Sequence, residues 1–304
     1  TTEIYTLSLH DALPIYTHVA RVAVVREPVA AAISPDGGEL WVANFLPAGP
    51  ADQYGVLAAA AAVSVIDTRT LESATVRLIT GTTSVRGITL TPDGHYALLV
   101  HILARYHLPT IRVDASWINA NALTVIDVHR REVLNTVLLD GFSEGAANPW
   151  GVAATADGRW ICVSHAGTNE LSVIDAPALV SLLESLPLEA FSNAAFFGAR
   201  TYGYGLVSTS TSEDLVNVPG LLDDLRQRVK LPGVGARGLA VCRAQVYVAE
   251  YFTDSLAVVT LPEAGAAAVR SLSLGPPPPA DEVRRGQMLF HDARICLKGW
   301  QSCA

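Results

Sequence analysis

The chain has 304 residues, 50% of them hydrophobic and 16% charged, with 21 Lys+Arg against 29 Asp+Glu for a net charge of −8. A mean hydropathy of +0.31 raises the question of a membrane protein. However, the richest apolar run, Val56 to Ile66, contains Ser64 and is shorter than the roughly 20 residues a spanning helix needs. Disorder is excluded because it requires low hydrophobicity and high charge, and the acidic balance argues against a nucleic-acid backbone as partner.

From the N-terminus, Leu7-Ser8-Leu9-His10-Asp11-Ala12-Leu13-Pro14-Ile15 resembles a translated sequencing adapter. Residues 1–15 are therefore expected to be non-native, with the fold starting at residue 16. Thr1 to Tyr16 shows neither a basic region nor an apolar core of the kind a signal peptide carries. Four cysteines, Cys162, Cys242, Cys296 and Cys303, are too few and too scattered for a disulfide framework. Cys162 and Cys242 lie in apolar runs and read as small buried hydrophobes.

A two-part signal then repeats. Ile33-Ser34-Pro35-Asp36-Gly37 recurs as Leu90-Thr91-Pro92-Asp93-Gly94 and Ala154-Thr155-Ala156-Asp157-Gly158. Each is followed by a Val-Ile-Asp, at 65–67, 125–127 and 173–175, and a degenerate fourth copy runs from Gly238 to Thr260. Pro presets φ and Gly accepts positive φ, so each Pro-Asp-Gly is a tight turn. The apolar runs around it are short and β-branched, which predicts strands. The first copy predicts them at 29–33, 40–43, 63–67 and 74–79; the second at 85–90, 96–100, 123–127 and 133–139. The third copy has them at 152–154, 160–163 and 171–175, and the fourth at 238–241, 247–250 and 258–260. Outer-strand segments are read at Val19 to Val25, Arg228 to Leu231 and Val269 to Leu274. Four antiparallel strands per unit, repeated, specify an all-β fold of propeller blades.

Ser34-Pro35-Asp36-Gly37-Gly38-Glu39-Leu40-Trp41-Val42-Ala43-Asn44, followed by Val63-Ser64-Val65-Ile66-Asp67-Thr68, resembles the YVTN-type β-propeller repeat. The third copy, His165 to Asp175, matches without insertion. The resemblance covers residues 16–274 and implies blades of a ring that commonly closes with about seven, so the expectation is an incomplete propeller. Long connections at Phe45 to Ala62 and Ile102 to Ala122 fall on one face, where binding loops are usually carried. A larger insertion near 177–227 is predicted to hold a helix at Pro177 to Leu186, a second short helix at Leu221 to Arg228, and a loop or added strand around Tyr202, Tyr204 and Ser208 to Ser212.

Eight residues after each turn Asp stand Asn44, His101 and His165, and the fourth copy aligns Glu250 with them. All four close the second strand of their blade. Two imidazoles and a carboxylate are potential metal ligands, so His101, His165 and Glu250 form a candidate metal site, with His107 near it. The alternative is a polar residue that satisfies loop backbone at a strand exit. The turn aspartates Asp36, Asp93 and Asp157 are read as structural, and Asp67, Asp127 and Asp175 as acceptors of local backbone N–H bonds. Trp117, Trp150, Tyr202 and Tyr204 are either rim packing or a binding face. No nucleophile elbow, phosphate loop or His-Glu-x-x-His is present.

Gly275-Pro276-Pro277-Pro278-Pro279 reads as a stiff linker over 275–280. Beyond it, Arg285-Gly286-Gln287-Met288-Leu289-Phe290-His291-Asp292 and the terminal Ser302-Cys303 resemble the opening of a c-type cytochrome domain of the di-haem cytochrome c peroxidase-like family. The resemblance implies that 281–304 is the truncated start of such a domain and that Cys303 is its first haem thioether. It also implies haem c in the intact parent and a periplasmic or cell-surface location. The propeller would then be a scaffold whose loop-rich face docks its own cytochrome domain or a redox partner. Two other roles fit a propeller: a surface interaction domain without redox function, and a metal-dependent hydrolase or lactonase.

Overall fold

The computed structural model describes residues 20–48, 59–104, 118–185, 200–201, 206–207, 212–263, 265–276 and 279–304. Residues 1–15, His107, Trp117, Tyr202 and Tyr204 lie outside them. The described residues form four antiparallel sheets of four strands, one per sequence repeat, and one two-stranded pair.

The first sheet holds β1 (Pro28–Ile33), β2 (Glu39–Asn44), β3 (Ala62–Asp67) and β4 (Ser73–Arg77) in that order. The second holds β5 (Thr82–Leu90), β6 (Tyr96–Ala104), β7 (Asn119–Asp127) and β8 (Glu132–Leu138). In the third, β9 (Pro149–Ala154), β10 (Trp160–His165) and β11 (Glu170–Asp175) are followed by α1 (Ala176–Ser185) and a small pair, β12 (Arg200–Thr201) and β13 (Leu206–Val207). After a 3-10 turn at Ser212–Asn217, β14 (Arg226–Lys230) completes that sheet against β11. The fourth comprises β15 (Ala236–Cys242), β16 (Gln245–Glu250), β17 (Ser255–Thr260) and β18 (Ala268–Ser273).

The first hairpin of each unit is set by its turn. Asp36 Oδ1 accepts from Ser34 Oγ at 2.6 Å and from Gly38 N at 3.0 Å, and Gly37 takes φ +72°. Thr91 with Asp93 and Thr155 with Asp157 repeat the side-chain bond at 2.5 Å. The fourth unit lacks the Pro-Asp-Gly and turns on Arg243-Ala244, with Arg243 at φ +54°.

Side chains alternate across each strand, and the sheets stack on them. Trp41, Val63, Val65 and Val76 pack against Ile88, Ala97, Leu99 and Ile126. Leu98, Val100, Leu123 and Val125 face Val152, Ile161, Val163 and Ile174. Cys162, Leu171 and Val173 face Val246, Val248, Ala257 and Val259. Each fully buried Leu, Ile or Val contributes about 1.5–3 kcal/mol. This face-to-face stacking explains the high hydropathy. The innermost strands β1, β5, β9 and β15 stand side by side in succession, which is the arrangement of a β-propeller. Among the described residues the four blades do not close into a ring: Val29 and Ile33 on β1 and every residue of β18 are exposed.

Four expectations need correction. Residues 20–25 form no strand. The second-blade insertion is shorter than Ile102 to Ala122, because β6 and β7 stay paired out to Ala104↔Asn119. The segment from Leu221 is a run of turns, and Arg226 and Arg228 belong to β14, since pairing with β11 uses the backbone a helix would need. Cys242 is exposed at the end of β15, whereas Cys162 is buried. The helix expected at Pro177 to Leu186 is α1, capped by Asp175, whose Oδ1 accepts from Ala178 N at 3.0 Å.

Candidate functional site: the axial face and the segment seated on it

The residues at the ends of the second strands occupy equivalent places on one face, and all are buried: Asn44, His101 and His165 at 0% exposure and Glu250 at 2%. Each reaches a hydroxyl on the third strand of its own blade. Asn44 Nδ2 donates to Ser64 Oγ at 3.1 Å and to Ala62 O at 2.8 Å. His101 Nε2 lies 2.7 Å from Thr124 Oγ1, and His165 Nε2 lies 2.8 Å from Ser172 Oγ. Glu250 accepts from Ser255 Oγ and Gly233 N, both at 2.6 Å.

The tautomers follow from the partners. His101 Nδ1 faces Ile102 O at 3.1 Å and His165 Nδ1 faces Ala146 O at 2.9 Å. A carbonyl only accepts, so Nδ1 carries the hydrogen and Nε2 accepts from the hydroxyl. Burial drives the His101 pKa down to about 4. Burial, then the nearby Arg228 and Arg226 cations, hold His165 well below the usual range. Both rings are neutral, with both nitrogens engaged. Among the described residues no group of three His, Cys, Asp or Glu converges on one point. His101, His165 and Glu250 thus sit on one face but each is turned into its own blade, an arrangement that does not fit a metal centre.

The same face carries the C-terminal segment. After the linker, α2 (Glu282–His291) starts at Asp281, whose Oδ1 accepts from Arg284 N at 2.7 Å. Two short 3-10 turns, Ala293–Ile295 and Leu297–Gly299, follow. Ala293 N donates to Gly167 O at 2.9 Å, and Gly145 N donates to Lys298 O at 2.8 Å. Asn121 Nδ2 donates to Trp300 O at 3.0 Å, and Asn148 Nδ2 to Ala304 O at 3.1 Å. Ala293 and Trp300 are buried. The approach is so close that a Cβ on Gly145 would stand 2.4 Å from both Gly299 O and Trp300 Cα. The segment therefore lies on the propeller as packed structure, covering the loop Ala166–Asn169 and the approach to β9. Cys303 is exposed and in no disulfide, so its sulfur is open to modification.

Beneath that segment is Asp140, 1% exposed. It accepts from Asn121 N, Asn121 Nδ2 and Ala146 N, each at 2.8 Å. Burial outweighs these donors and raises its pKa.

On the innermost strands, Arg86 of β5, Trp150 of β9 and Arg237 of β15 come together. The Arg86 guanidinium stacks 4.1 Å from the Trp150 ring centre and Arg237 stacks 4.6 Å from it. Arg86 also lies 4.7 Å from the Phe45 ring centre, and Arg237 lies 3.7 Å from that of Tyr251. Gly87 and Gly151 allow this approach, since a Cβ there would meet Trp150 O at 2.6 Å and Arg237 O at 2.9 Å. Arg86 and Arg237 were not singled out from the sequence. Three aligned dipeptides, Arg86-Gly87, Trp150-Gly151 and Arg237-Gly238, are the signal that marks them.

No family model matches the chain. Hydrazine synthase subunit beta of Kuenenia stuttgartiensis is 24% identical over 109 residues, 36% of this chain and 28% of that protein. A solved chain of Kuenenia stuttgartiensis hydrazine synthase superposes with a TM-score of 0.59 at 22% identity, covering 77% of this chain and 58% of that one. The likeness is one of fold. A periplasmic gluconolactonase, PpgL of Pseudomonas aeruginosa, aligns at a TM-score of 0.49 and 16% identity over 84% of this chain and 60% of that one. The chain thus spans 28% of the curated relative and just over half of the solved chain. Among the described residues no helix is long and apolar enough to cross a membrane.

Proposed function

We propose that the chain is the propeller scaffold of an exported haem c electron-transfer or peroxidase-like protein, and that it holds the start of the haem domain on its axial face. The observation that carries this is the seating of 281–304. The segment bearing the cytochrome-like motif is tied to the β7 and β9 regions by backbone and amide bonds and a buried Trp300. A linker that merely tethered a separate domain would leave few such contacts.

Two features support the reading further. The segment exposes Val283, Leu289, Phe290, Ile295 and Leu297, an apolar surface of the kind that further structure covers. Cys303, free and exposed, fits a haem thioether, and haem would supply the electron-carrying iron. The chain's own residues position that attachment point on the propeller. The relative named a hydrazine synthase subunit is in keeping with a propeller working as one part of a larger assembly.

The test is expression of the gene extended downstream in a host that attaches haem c. A Soret band and haem that stays bound on a denaturing gel are expected, with Cys303→Ala weakening attachment. A longer protein with no Soret band would overturn the reading.

A further inference from the structure

The axial arginines do not behave as packing alone. A guanidinium stacked on an aromatic ring uses its flat face and leaves its N–H edge free. Arg86 and Arg237 share one indole, and no ion pair with a carboxylate satisfies either of them among the described residues. Arg237 Nε is buried without a hydrogen-bond partner. The Tyr251 side chain gives Arg237 a hydrogen-bond partner, while Arg284, stacked 4.8 Å from the Tyr251 ring centre, adds a further like charge. Burial first, and the Arg237 charge second, weaken the hold of Arg86 on its proton. Two like charges on one ring with no counter-ion among the described residues are a configuration that an anion would relieve.

The surroundings choose among anions. Arg presents a planar fork that matches a carboxylate in bidentate fashion. Phe45, Trp150 and Tyr251 add flat apolar faces beside that fork. Both arginines and Trp150 are only half-buried, so the site opens towards solvent although Arg237 Nε itself is buried. The geometry points to Arg86 and Arg237, spaced by Trp150, as a binding site for a small organic carboxylate whose flat apolar body lies against the neighbouring rings. This inference is independent of the haem reading.

Calorimetric titration of the full chain with benzoate, acetate and inorganic phosphate tests it. One benzoate per chain is expected, bound more tightly than acetate or phosphate and weakened by added salt. Arg86→Gln and Arg237→Gln should each weaken binding about tenfold or more, the scale of one lost charge-assisted pair. Arg86→Lys, which keeps the charge but not the fork, should also weaken it and carries the test if a glutamine variant fails to fold. No benzoate binding, binding unchanged in the variants, or phosphate binding more tightly than benzoate would each overturn the assignment.

Discussion

The Asn121 side-chain amide donates to the Trp300 carbonyl at 3.0 Å and to the buried Asp140 carboxylate at 2.8 Å. One residue on β7 thus joins the C-terminal segment to the propeller interior. Its oxygen also accepts from Asn148 N at 2.9 Å.

This hub makes a first prediction. Asn121→Ala removes donors from Asp140 and Trp300 and an acceptor from Asn148, all in buried or part-buried surroundings. Leaving one buried polar group unpaired costs about 1–3 kcal/mol, so the variant should lose roughly 2–4 kcal/mol of unfolding free energy, because the losses are partly shared. Urea unfolding measures the loss. Limited proteolysis should also cut 281–304 faster, and unchanged protection of that segment would contradict the role given to Asn121.

Gly145→Ala separates segment docking from blade stability. Gly145 is not at positive φ, so alanine carries no backbone strain there, but its Cβ would stand 2.4 Å from Gly299 O and Trp300 Cα. The expected outcome is faster amide exchange at Lys298 to Cys303, with the blade strands still protected. Equal exchange in both proteins would show that the contact yields without displacing the segment.

The blades were legible because the repeat writes each local decision into the chain. Asp36, Asp93 and Asp157 build turns that depend on neighbours within two residues, so sequence spacing suffices for them. The ring residues were legible in position but not in direction. The hydroxyls that hold His101 and His165 are also periodic, since Ser64, Thr124 and Ser172 stand three residues before Asp67, Asp127 and Asp175. That second period marks a bond inside each blade rather than a convergence on the axis. Arg226 read as helical because an insertion of about fifty residues separates it from the β11 strand it pairs with, and long-range pairing leaves no local trace. The Arg86–Trp150–Arg237 stack joins three blades, and only the folded arrangement brings it together.

Buried neutral histidines set a pH dependence. His101 has its pKa lowered to about 4 by burial, whereas in the unfolded chain it is near 6.5. Between those values the unfolded state binds more protons, so stability rises with pH across the window and falls as pH drops from about 6.5 towards 4. The single group accounts for roughly 3 kcal/mol over that span, and His165, also held well below the usual range, steepens it. Urea midpoints from pH 7 to 4.5 should show this slope, and His101→Gln should flatten it. A slope identical in the variant would assign the acid sensitivity elsewhere.

The last prediction concerns Arg228 and Glu170, which bond across β14 and β11 with side chains 13% and 8% exposed. Arg228 also donates to Gly145 O at 2.6 Å and pairs with Glu144 at 3.1 Å. Arg228→Met would leave Glu170 buried without its cation, a change that costs about 3–5 kcal/mol. Replacing both by methionine removes the stranded charge, so the double variant should recover much of that loss. Because Arg228 is one of the cations that depress the His165 pKa, its removal should also bring the His165 pKa back towards the ordinary value. That makes the pH slope shallower near its acid end. A double-mutant cycle run at pH 7 and pH 5 measures both effects together. If the single and double variants are equally unstable, the pair is not what holds β14 to β11, and the outer strand is kept in place by its ladder alone.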